Sequence, residues 1–210
     1  MKGKFLAVLA LAGVAGMSSA QESERDSARV AELSEVVVKA VSAPKGAPFA
    51  VSRISKKELQ EFSTGGQELP YLFARTPGVV AWSENGLGTG TVYMRMRGSA
   101  GSRVNVTIDG ISLNSPEDQC VFWANMNSYA SLLGSVQIQR GVGSSSNGDG
   151  AFGGSIAMQT KLPQMDPMLE VTGSYGSYNT WRAGGQFSTG LLGKHWVVDG
   201  AYHQTQTDGY

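Results

Sequence analysis

The sequence is poor in the residues that most catalytic sites require. Its 210 residues contain one cysteine, Cys120, and two histidines. A single cysteine cannot form an internal disulfide, and we interpret this thiol as incidental rather than as a pairing partner or ligand. The G-x-S-x-G sequence of serine hydrolases is also missing. We therefore predict that the chain is not an enzyme and has no catalytic residues, no metal site and no cofactor.

Neither sign of charge is in excess. Lys and Arg together number 17, and Asp and Glu together also number 17. A balanced chain lacks the strong basic field that marks nucleic-acid binders, so we predict no nucleic-acid partner. After residue 20 there is also no apolar run of roughly 18 residues, the length that a membrane-spanning helix needs.

The first residues have the pattern of an export signal. Two lysines precede an apolar run over residues 5–16, and small residues follow up to Ala20. Because the run is too short to cross a bilayer and ends in small residues, residues 1–20 are predicted to be a secretory signal peptide.

A polar segment follows the predicted signal peptide. Residues 21–43 begin with many charges and few large apolar side chains, so they are predicted to form a flexible lead. The β-branched run at residues 36–38 has two interpretations. It is either the first strand of the folded domain or an extended peptide that adds to the edge of another protein's sheet.

Residues 44–163 mix helix and strand patterns, as an α+β domain does. Ser55 and Glu58 have the spacing of a capping box, which predicts a helix after a short strand. A second helix is predicted to end before Thr76, because proline and glycine follow at once.

Four further segments of this region are predicted to be strands. Residues 92–97 alternate apolar with polar side chains and predict a strand with two unlike faces. Residues 103–114 predict a hairpin, with Asp109-Gly110 as its tight turn. Residues 135–140 and 155–160 each have the length and alternation of a short strand.

Residues 164–210 alternate apolar with small or polar side chains over segments of about ten residues, which is typical of outer-membrane barrel strands. A soluble sandwich shows the same alternation, but the export signal favours the barrel. Two faces are predicted, formed by Leu169, Val171, Gly173 and Tyr175 and by Trp196, Val198, Gly200 and Tyr202.

A literal G-x-G-x-x-G sequence occurs at Gly148, Gly150 and Gly153. A dinucleotide fingerprint needs a helix directly after the glycines, because the helix N-terminus binds the phosphate. Residues 154–160 have a strand pattern instead, and no Gly-Lys-Ser/Thr follows. We therefore predict no nucleotide partner and interpret these glycines as a tight connection between two strands.

Several stretches, taken in order, resemble the signatures of TonB-dependent outer-membrane receptors. The first, ELSEVVVKA at 32–40, resembles the TonB box. Four others resemble signatures of the plug domain, and a last one resembles a sequence of early barrel strands. These are RTPGVV (75–80), YMRMRG (93–98), VTIDGISLN (106–114), SVQIQRGVGSSSNGDGAFGGSIAMQTK (135–161) and TDGY (207–210).

The resemblance implies an α+β plug domain followed by the first antiparallel strands of a transmembrane β-barrel. Because the family's barrel has about 22 strands, we expect this chain to be an N-terminal fragment. The expected parts are a signal peptide (1–20), a flexible lead with the TonB box (21–43), a plug (44–163) and the incomplete start of the barrel (164–210). The implied location is the outer membrane, with the box facing the periplasm.

The resemblance also implies two sets of protein contacts. TonB, the energy-transducing protein of the inner membrane, would bind Leu33, Ser34, Glu35, Val36, Val37 and Val38 as an added strand. The plug would contact the barrel wall through Arg95, Arg97, Arg140, Gly150 and Gly153. Buried arginines need partners, which barrel glutamates would supply, although arginines solvated on one sheet face are an alternative.

The implied function is import of a scarce nutrient complex too large for porins, through displacement of the plug by TonB. A ferric siderophore is the expected ligand, and cobalamin, haem or an oligosaccharide are alternatives within the same mechanism. A soluble, exported, β-rich binding domain is the alternative from a different class. The expected ligand contacts are Trp82, Glu84, Asn85, Glu117, Asp118 and Trp123.

Overall fold

Eleven strands and two α-helices make up the part of the chain that the structure, a computed structural model, describes: residues 49–143, 151–193 and 195–209. Three short 3-10 helices complete it, at Gly101–Arg103, Trp123–Met126 and Tyr129–Ser131. In chain order the elements are β1 (Ala50–Ile54), α1 (Lys56–Ser63), α2 (Leu69–Phe73), β2 (Val79–Ser83), β3 (Val92–Met96), β4 (Ser99–Ala100), β5 (Val104–Ile108), β6 (Ile111–Ser112), β7 (Leu133–Arg140), β8 (Gly154–Thr160), β9 (Met168–Gly176), β10 (Thr180–Ser188) and β11 (Asp199–Gln206).

A five-stranded mixed sheet is the centre of the plug region. Its order is β1-β7-β8-β5-β6, and all neighbours are antiparallel except β5 and β8, which run parallel. Strands β5 and β8 are buried on both faces for most of their length. Polar side chains such as Asn105, Thr107 and Ser155 are therefore buried along with the valines and isoleucines.

The predicted capping box begins α1. The Ser55 hydroxyl accepts a hydrogen bond from the Glu58 backbone N–H, and the Glu58 carboxylate accepts one from the Ser55 N–H at 2.8 Å. The helix then buries Leu59 and Phe62 against the sheet. Helix α2 buries Leu72 and Phe73 and ends before Thr76, as predicted. In the described part of the chain, neither α-helix is long and apolar enough to span a bilayer.

The hairpin of β5 and β6 turns at Asp109-Gly110, where the sequence predicts it. Both residues have positive φ, 48° and 84°, which is the conformation of a type I′ turn. The Asp109 carboxylate also accepts hydrogen bonds from the backbone N–H and the hydroxyl of Thr160, at 3.0 and 2.8 Å. The turn therefore fixes the end of β8 as well as the hairpin.

A second sheet, of order β2-β3-β4, packs its inner face on α2 and the core. Strand β3 alternates strictly, with Val92, Met94 and Met96 buried and Tyr93 and Arg95 exposed. The prediction of a strand with two unlike faces is thus confirmed.

The third sheet, of order β11-β10-β9, is an antiparallel meander that follows the plug region. The predicted apolar face of β9 points outward, and its large side chains Leu169, Val171 and Tyr175 are 76–78% exposed. The prediction for the last face is wrong in part: Trp196 and Val198 precede β11. A bridge between Leu192 and Trp196 closes a turn there, so β11 begins only at Asp199.

The strand predicted after the glycine sequence is β8, and its first residues lie in a crowded junction. The Gly153 N–H donates to the Arg103 carbonyl, and the Gly141 N–H donates to the Gly153 carbonyl. Gly154 has a φ of 140°, and a Cβ there would collide with the Gln139 carbonyl and the Met96 sulfur. Strands β3, β7 and β8 approach so closely here because Gly154 has no side chain.

Replacing Gly154 with alanine should lower the free energy of unfolding by roughly 3–5 kcal/mol, since backbone strain adds to the collision. Gly98 provides the control, because its φ of 82° is also unfavourable for alanine but its surroundings are open. Gly98→Ala should cost only about 1–2 kcal/mol. Urea unfolding of the two variants measures both values, and equal losses would contradict the proposed crowding.

Candidate functional site

A cleft of about 230 Å³ opens beside the β2–β3 hairpin. Buried apolar side chains of β3 and β5 form its floor. Its walls come from the hairpin, from the 3-10 helix that precedes β5 and from the segment before the Trp123–Met126 helix. The wall residues include Trp82, Tyr93, Arg95, Gly101, Ser102 and Cys120.

Two aromatic rings and one cation form the hairpin wall of this cleft. Trp82 and Tyr93 are directly opposite in the β2–β3 register, and their rings stack with centroids 5.6 Å apart. The Arg95 guanidinium lies over the Trp82 ring at 5.9 Å from its centroid. Trp82 and Tyr93 remain 41% and 44% exposed. A planar or anionic molecule in the cleft would therefore meet accessible π-surface and a positive charge.

Glu84 acts on this wall through Tyr93. The Tyr93 hydroxyl donates a 2.8 Å hydrogen bond to the Glu84 carboxylate. This bond, together with the negative charge, raises the pKa of Tyr93 above its ordinary value. Tyr93 consequently stays protonated and presents a neutral ring. The predicted site residue Glu84 thus holds an aromatic side chain that the sequence analysis did not include.

Asn85 organises its own loop, residues 84–91. Its side chain donates to the Thr89 hydroxyl at 2.7 Å and accepts from the Leu87 N–H at 3.0 Å. The middle of the loop is attached to the start of α2, because the Glu68 N–H donates to the Gly88 carbonyl at 2.8 Å. The loop that carries Glu84 and Asn85 is therefore a structured element.

The segment that carries the predicted ligand contacts Glu117, Asp118 and Trp123, residues 114–126, is anchored at its start. The Asn114 side chain accepts from the Val106 N–H and donates to the carbonyls of Val104 and Gln119. The Asp118 carboxylate accepts from the Cys120 N–H, and Glu117 is exposed. The side chains of Glu117 and Asp118 do not line the cleft, whereas Cys120 does.

Cys120, which the sequence analysis interprets as incidental, is therefore part of the cleft wall. Burial, reinforced by the Asp118 carboxylate, raises the pKa of its thiol above the ordinary value. It is thus a neutral, weakly polar wall group. Trp123 in turn is only 5% exposed and packs edge-on against Phe73, with ring centroids 5.6 Å apart. It supports the cleft from beneath, as part of the hydrophobic core.

The three arginines expected at a barrel wall occupy different places. Arg95 lies in the cleft, over Trp82. Arg97 has a φ of 49° and lies in the turn after β3 rather than in a strand. Its backbone N–H donates to the Gly78 carbonyl, and its guanidinium lies beside Gly141. Arg140 donates to the Pro77 carbonyl at 2.9 Å. Arg97 and Arg140 thus both contact the turn between α2 and β2.

Of the two glycines expected at the barrel wall, Gly153 packs within the plug region: a Cβ there would lie 2.8 Å from the Cβ of Ser99. Gly150 lies outside the described residues, as do the predicted TonB-box residues 33–38. Among the residues described, no group of three or more His, Cys, Asp or Glu side chains is placed to hold a metal ion.

Contacts between the plug region and the β9–β11 sheet come from residues that sequence reasoning missed. The Ser131 hydroxyl donates its hydrogen to the Ser128 carbonyl and lies 3.1 Å from Nε2 of His203. Because a hydroxyl has one hydrogen to donate, Nε2 is the donor in the second contact. The Lys161 ammonium donates to the Gln186 side chain, which donates in turn to Glu170. Burial lowers the pKa of Lys161, and the Glu170 carboxylate partly opposes this shift.

Glu68 is the least expected member of this interface. It is the N-cap residue of α2, is 1% exposed, and its side chain makes no capping hydrogen bond. Burial raises its pKa from 4.5 to about 7, and the nearby Gly90 amide and Arg182 guanidinium oppose the shift only in part. Arg182, on the inner face of β10, is 5% exposed. No sequence pattern signals this pair, because it depends on how β10 lies against α2.

The family model that describes the TonB-dependent receptor plug domain matches residues 43–155. The match covers more than half of the chain, and it includes both helices, the β2-β3-β4 sheet, the cleft and the central sheet up to the start of β8. The chain therefore belongs to the TonB-dependent receptor plug family. No curated protein sequence matches it.

Solved structures of outer-membrane receptors share the fold. PiuA, a siderophore receptor from Acinetobacter baumannii, aligns with a TM-score of 0.61 and 22% identity over 81% of this chain and 22% of that chain. FpvA from P. aeruginosa, bound to a pyoverdine, aligns with a TM-score of 0.59 and 17% identity over 78% of this chain and 21% of that chain. Fiu, the ferric-catecholate import receptor from E. coli K12, aligns with a TM-score of 0.57 and 22% identity over 76% of this chain and 21% of that chain.

These likenesses confirm the predicted fold class, a plug with mixed sheets followed by antiparallel strands. The chain spans only 20–30% of the length of the solved chains that it matches.

The raised pKa of Glu68 predicts a pH-dependent stability. An unfolded Glu68 loses its proton near pH 4.5 and the folded one near pH 7, so the folded state binds the proton more tightly. The stabilisation is complete below pH 4.5 and is lost as the pH rises through about 7, with a total of roughly 3 kcal/mol.

Urea unfolding at a series of pH values between 4.5 and 8 measures this contribution as the difference between wild type and Glu68→Gln. The glutamine side chain cannot titrate. The wild-type protein should therefore lose stability relative to Glu68→Gln as the pH rises from 4.5 to about 7, and the difference should level off above pH 7. Identical pH profiles for the two proteins would contradict the assignment.

Proposed function

We propose that the chain is the plug and first strands of a TonB-dependent outer-membrane receptor that imports a ferric siderophore. Family membership and the architecture support the receptor class. The outer face of β9 exposes a row of large apolar side chains, Leu169, Val171 and Tyr175. Such a row is typical of a lipid-facing barrel wall and disfavours a soluble sandwich. The chain would then reside in the outer membrane, act as a transporter and have no catalytic role.

The observation that carries the ligand proposal is the wall formed by Trp82, Tyr93 and Arg95. Ferric siderophores commonly combine flat chelating groups with negative charge, and stacked rings beside a guanidinium complement both properties. PiuA, FpvA and Fiu, which share the fold, are by name receptors for siderophores, pyoverdines and ferric catecholates. Cobalamin, haem and oligosaccharides are the competing ligands.

Growth of a receptor-deletion strain that carries this gene tests the choice of ligand. Iron should be supplied in separate cultures as ferric catecholate, ferric hydroxamate, ferric citrate or haem, and cobalamin and glycan dependence should be scored in parallel. Growth restored by one ferric chelate alone supports the proposal. Restoration by haem, cobalamin or a glycan alone would overturn the ligand class and leave the receptor class intact.

Loss of the cleft wall should weaken binding of the chelate that restores growth. Trp82→Ala and Arg95→Met should each raise its dissociation constant roughly tenfold, equivalent to about 1.4 kcal/mol. Ile111→Ala is the control, since Ile111 is 69% exposed but lies outside the cleft. Equilibrium binding to purified receptor measures the three constants, and equal affinities for all variants would remove the cleft from the site.

Energy transfer would depend on the segment at residues 33–38. We propose that residues 36–38 add to a sheet edge of TonB, where backbone hydrogen bonds supply the affinity. Val37→Pro removes one backbone donor from such a strand and should abolish uptake, with ligand affinity unchanged. Val37→Thr keeps the donor and the β-branched shape and should retain uptake. Normal uptake by the proline variant would exclude this segment as the TonB box.

A further inference from the structure

Buried polar atoms without partners are concentrated at one place in the molecule. Seven buried side-chain nitrogen or oxygen atoms have no hydrogen-bond partner among the described residues. Six of them belong to the same interface: both carboxylate oxygens of Glu68, Nε and Nη2 of Arg182, Nδ1 of His203 and Oγ1 of Thr205. Buried polar groups are normally paired, so such a concentration calls for a physical explanation.

The strand register explains why these side chains meet. Arg182 and Thr205 are direct partners across β10 and β11, and His203 is opposite Gly184 on the same inner face. The His203 ring occupies the space that a Cβ on Gly184 would fill. From the plug side, Gly66 lies against the Arg182 stem, with a would-be Cβ 3.9 Å from Cδ and Nη1. Glu68 follows two residues later.

Glu68 and Arg182 have opposite charges but do not form a direct hydrogen-bonded ion pair. A buried ion pair offsets the lost hydration of its two members only when the geometry is close and the remaining polar atoms are satisfied. Neither condition holds here. The raised pKa of Glu68 agrees with this, because it means that burial outweighs the attraction of Arg182.

We propose that Glu68, Arg182, His203 and Thr205 form a weak contact between α2 and the inner face of the β9–β11 sheet, which lowers the cost of separating the two. On separation each polar group regains water, which offsets part of the apolar contact that is lost. The inference goes beyond the proposed function, since it concerns two parts of one chain and requires no particular ligand. In a receptor, it would reduce the work needed to displace the plug.

Hydrogen–deuterium exchange of the full chain, purified in detergent at pH 8, tests this proposal. Glu68→Gln keeps the shape of the side chain and removes its charge. If the contact is weak, the variant should open less often, and the amides in 69–73 should exchange roughly tenfold more slowly, a factor equivalent to one pKa unit. These amides belong to residues 69 and 71–73, because residue 70 is proline. Arg182→Met added to Glu68→Gln should slow exchange further.

Two internal references keep the result interpretable. Glu61→Gln removes a carboxylate that is exposed on α1 and lies 3.9 Å from the Lys57 ammonium, so it should leave exchange unchanged. Amides of β8, in the central sheet, should exchange alike in all variants and so report that the fold is intact. Faster exchange at 69–73 in Glu68→Gln, with β8 unchanged, would show that the pair holds the interface together and would overturn the proposal. Unchanged exchange would also overturn it.

The wild-type protein provides a second measurement if Glu68→Gln does not fold. At pH 5.5 Glu68 is protonated, so exchange at 69–73, corrected for its intrinsic pH dependence, should be slower than at pH 8. Arg182, His203, Lys161 and Glu170 also face this region. A proton on His203 would add a cation beside Arg182 and act in the opposite direction. Slower exchange at pH 5.5 supports the proposal, and equal or faster exchange contradicts it.

Discussion

Close approach of three strands at Gly153-Gly154 is the constraint on which the plug depends. Strand β8 begins where β3 and β7 leave no room for a side chain, and Met96 of β3 packs onto the Gly154 backbone. From this junction β8 runs parallel to β5 and antiparallel to β7, which sets the order of the central sheet. The same junction fixes the position of β3, whose outer face carries Tyr93 and Arg95. The cleft wall is thus a consequence of packing at glycine residues that never touch the cleft.

Glu68 connects the two polar regions of the structure. Its backbone N–H holds the loop that carries Glu84 and Asn85, and its carboxylate lies among the inner side chains of β10 and β11. The two regions differ in how well their polar groups are satisfied. Groups beside the cleft are hydrogen-bonded and exposed, which suits a preformed surface. At the inner face of the strands, the Glu68 carboxylate and two nitrogens of Arg182 are buried without hydrogen-bond partners, which suits a surface that has to separate.

Sequence patterns were sufficient wherever neighbouring residues decide the structure. The capping box at Ser55, the turn at Asp109-Gly110 and the alternation of β3 and β9 all depend on local spacing. Trp123 shows the limit: the sequence places this aromatic residue in a polar loop, whereas its burial depends on Phe73 from a distant helix, although it also lines the cleft. Glu68 resembles an ordinary acidic residue at a helix start, and only the register of β10 reveals Arg182 beside it. The start of β11 depends on the Leu192–Trp196 bridge, which no periodicity indicates.

The Asn114 side chain has an evolutionary consequence. It takes the place of backbone partners on β5 and also binds the Gln119 carbonyl, so both ends of the intervening loop are fixed by one amide. Substitutions or small length changes between these ends would therefore not disturb the sheet beneath. The loop between Asn114 and Gln119 could therefore change while the strands beneath it keep their packing. A single asparagine thus separates the sheet, whose packing constrains its residues, from a loop whose residues can vary without disturbing that packing.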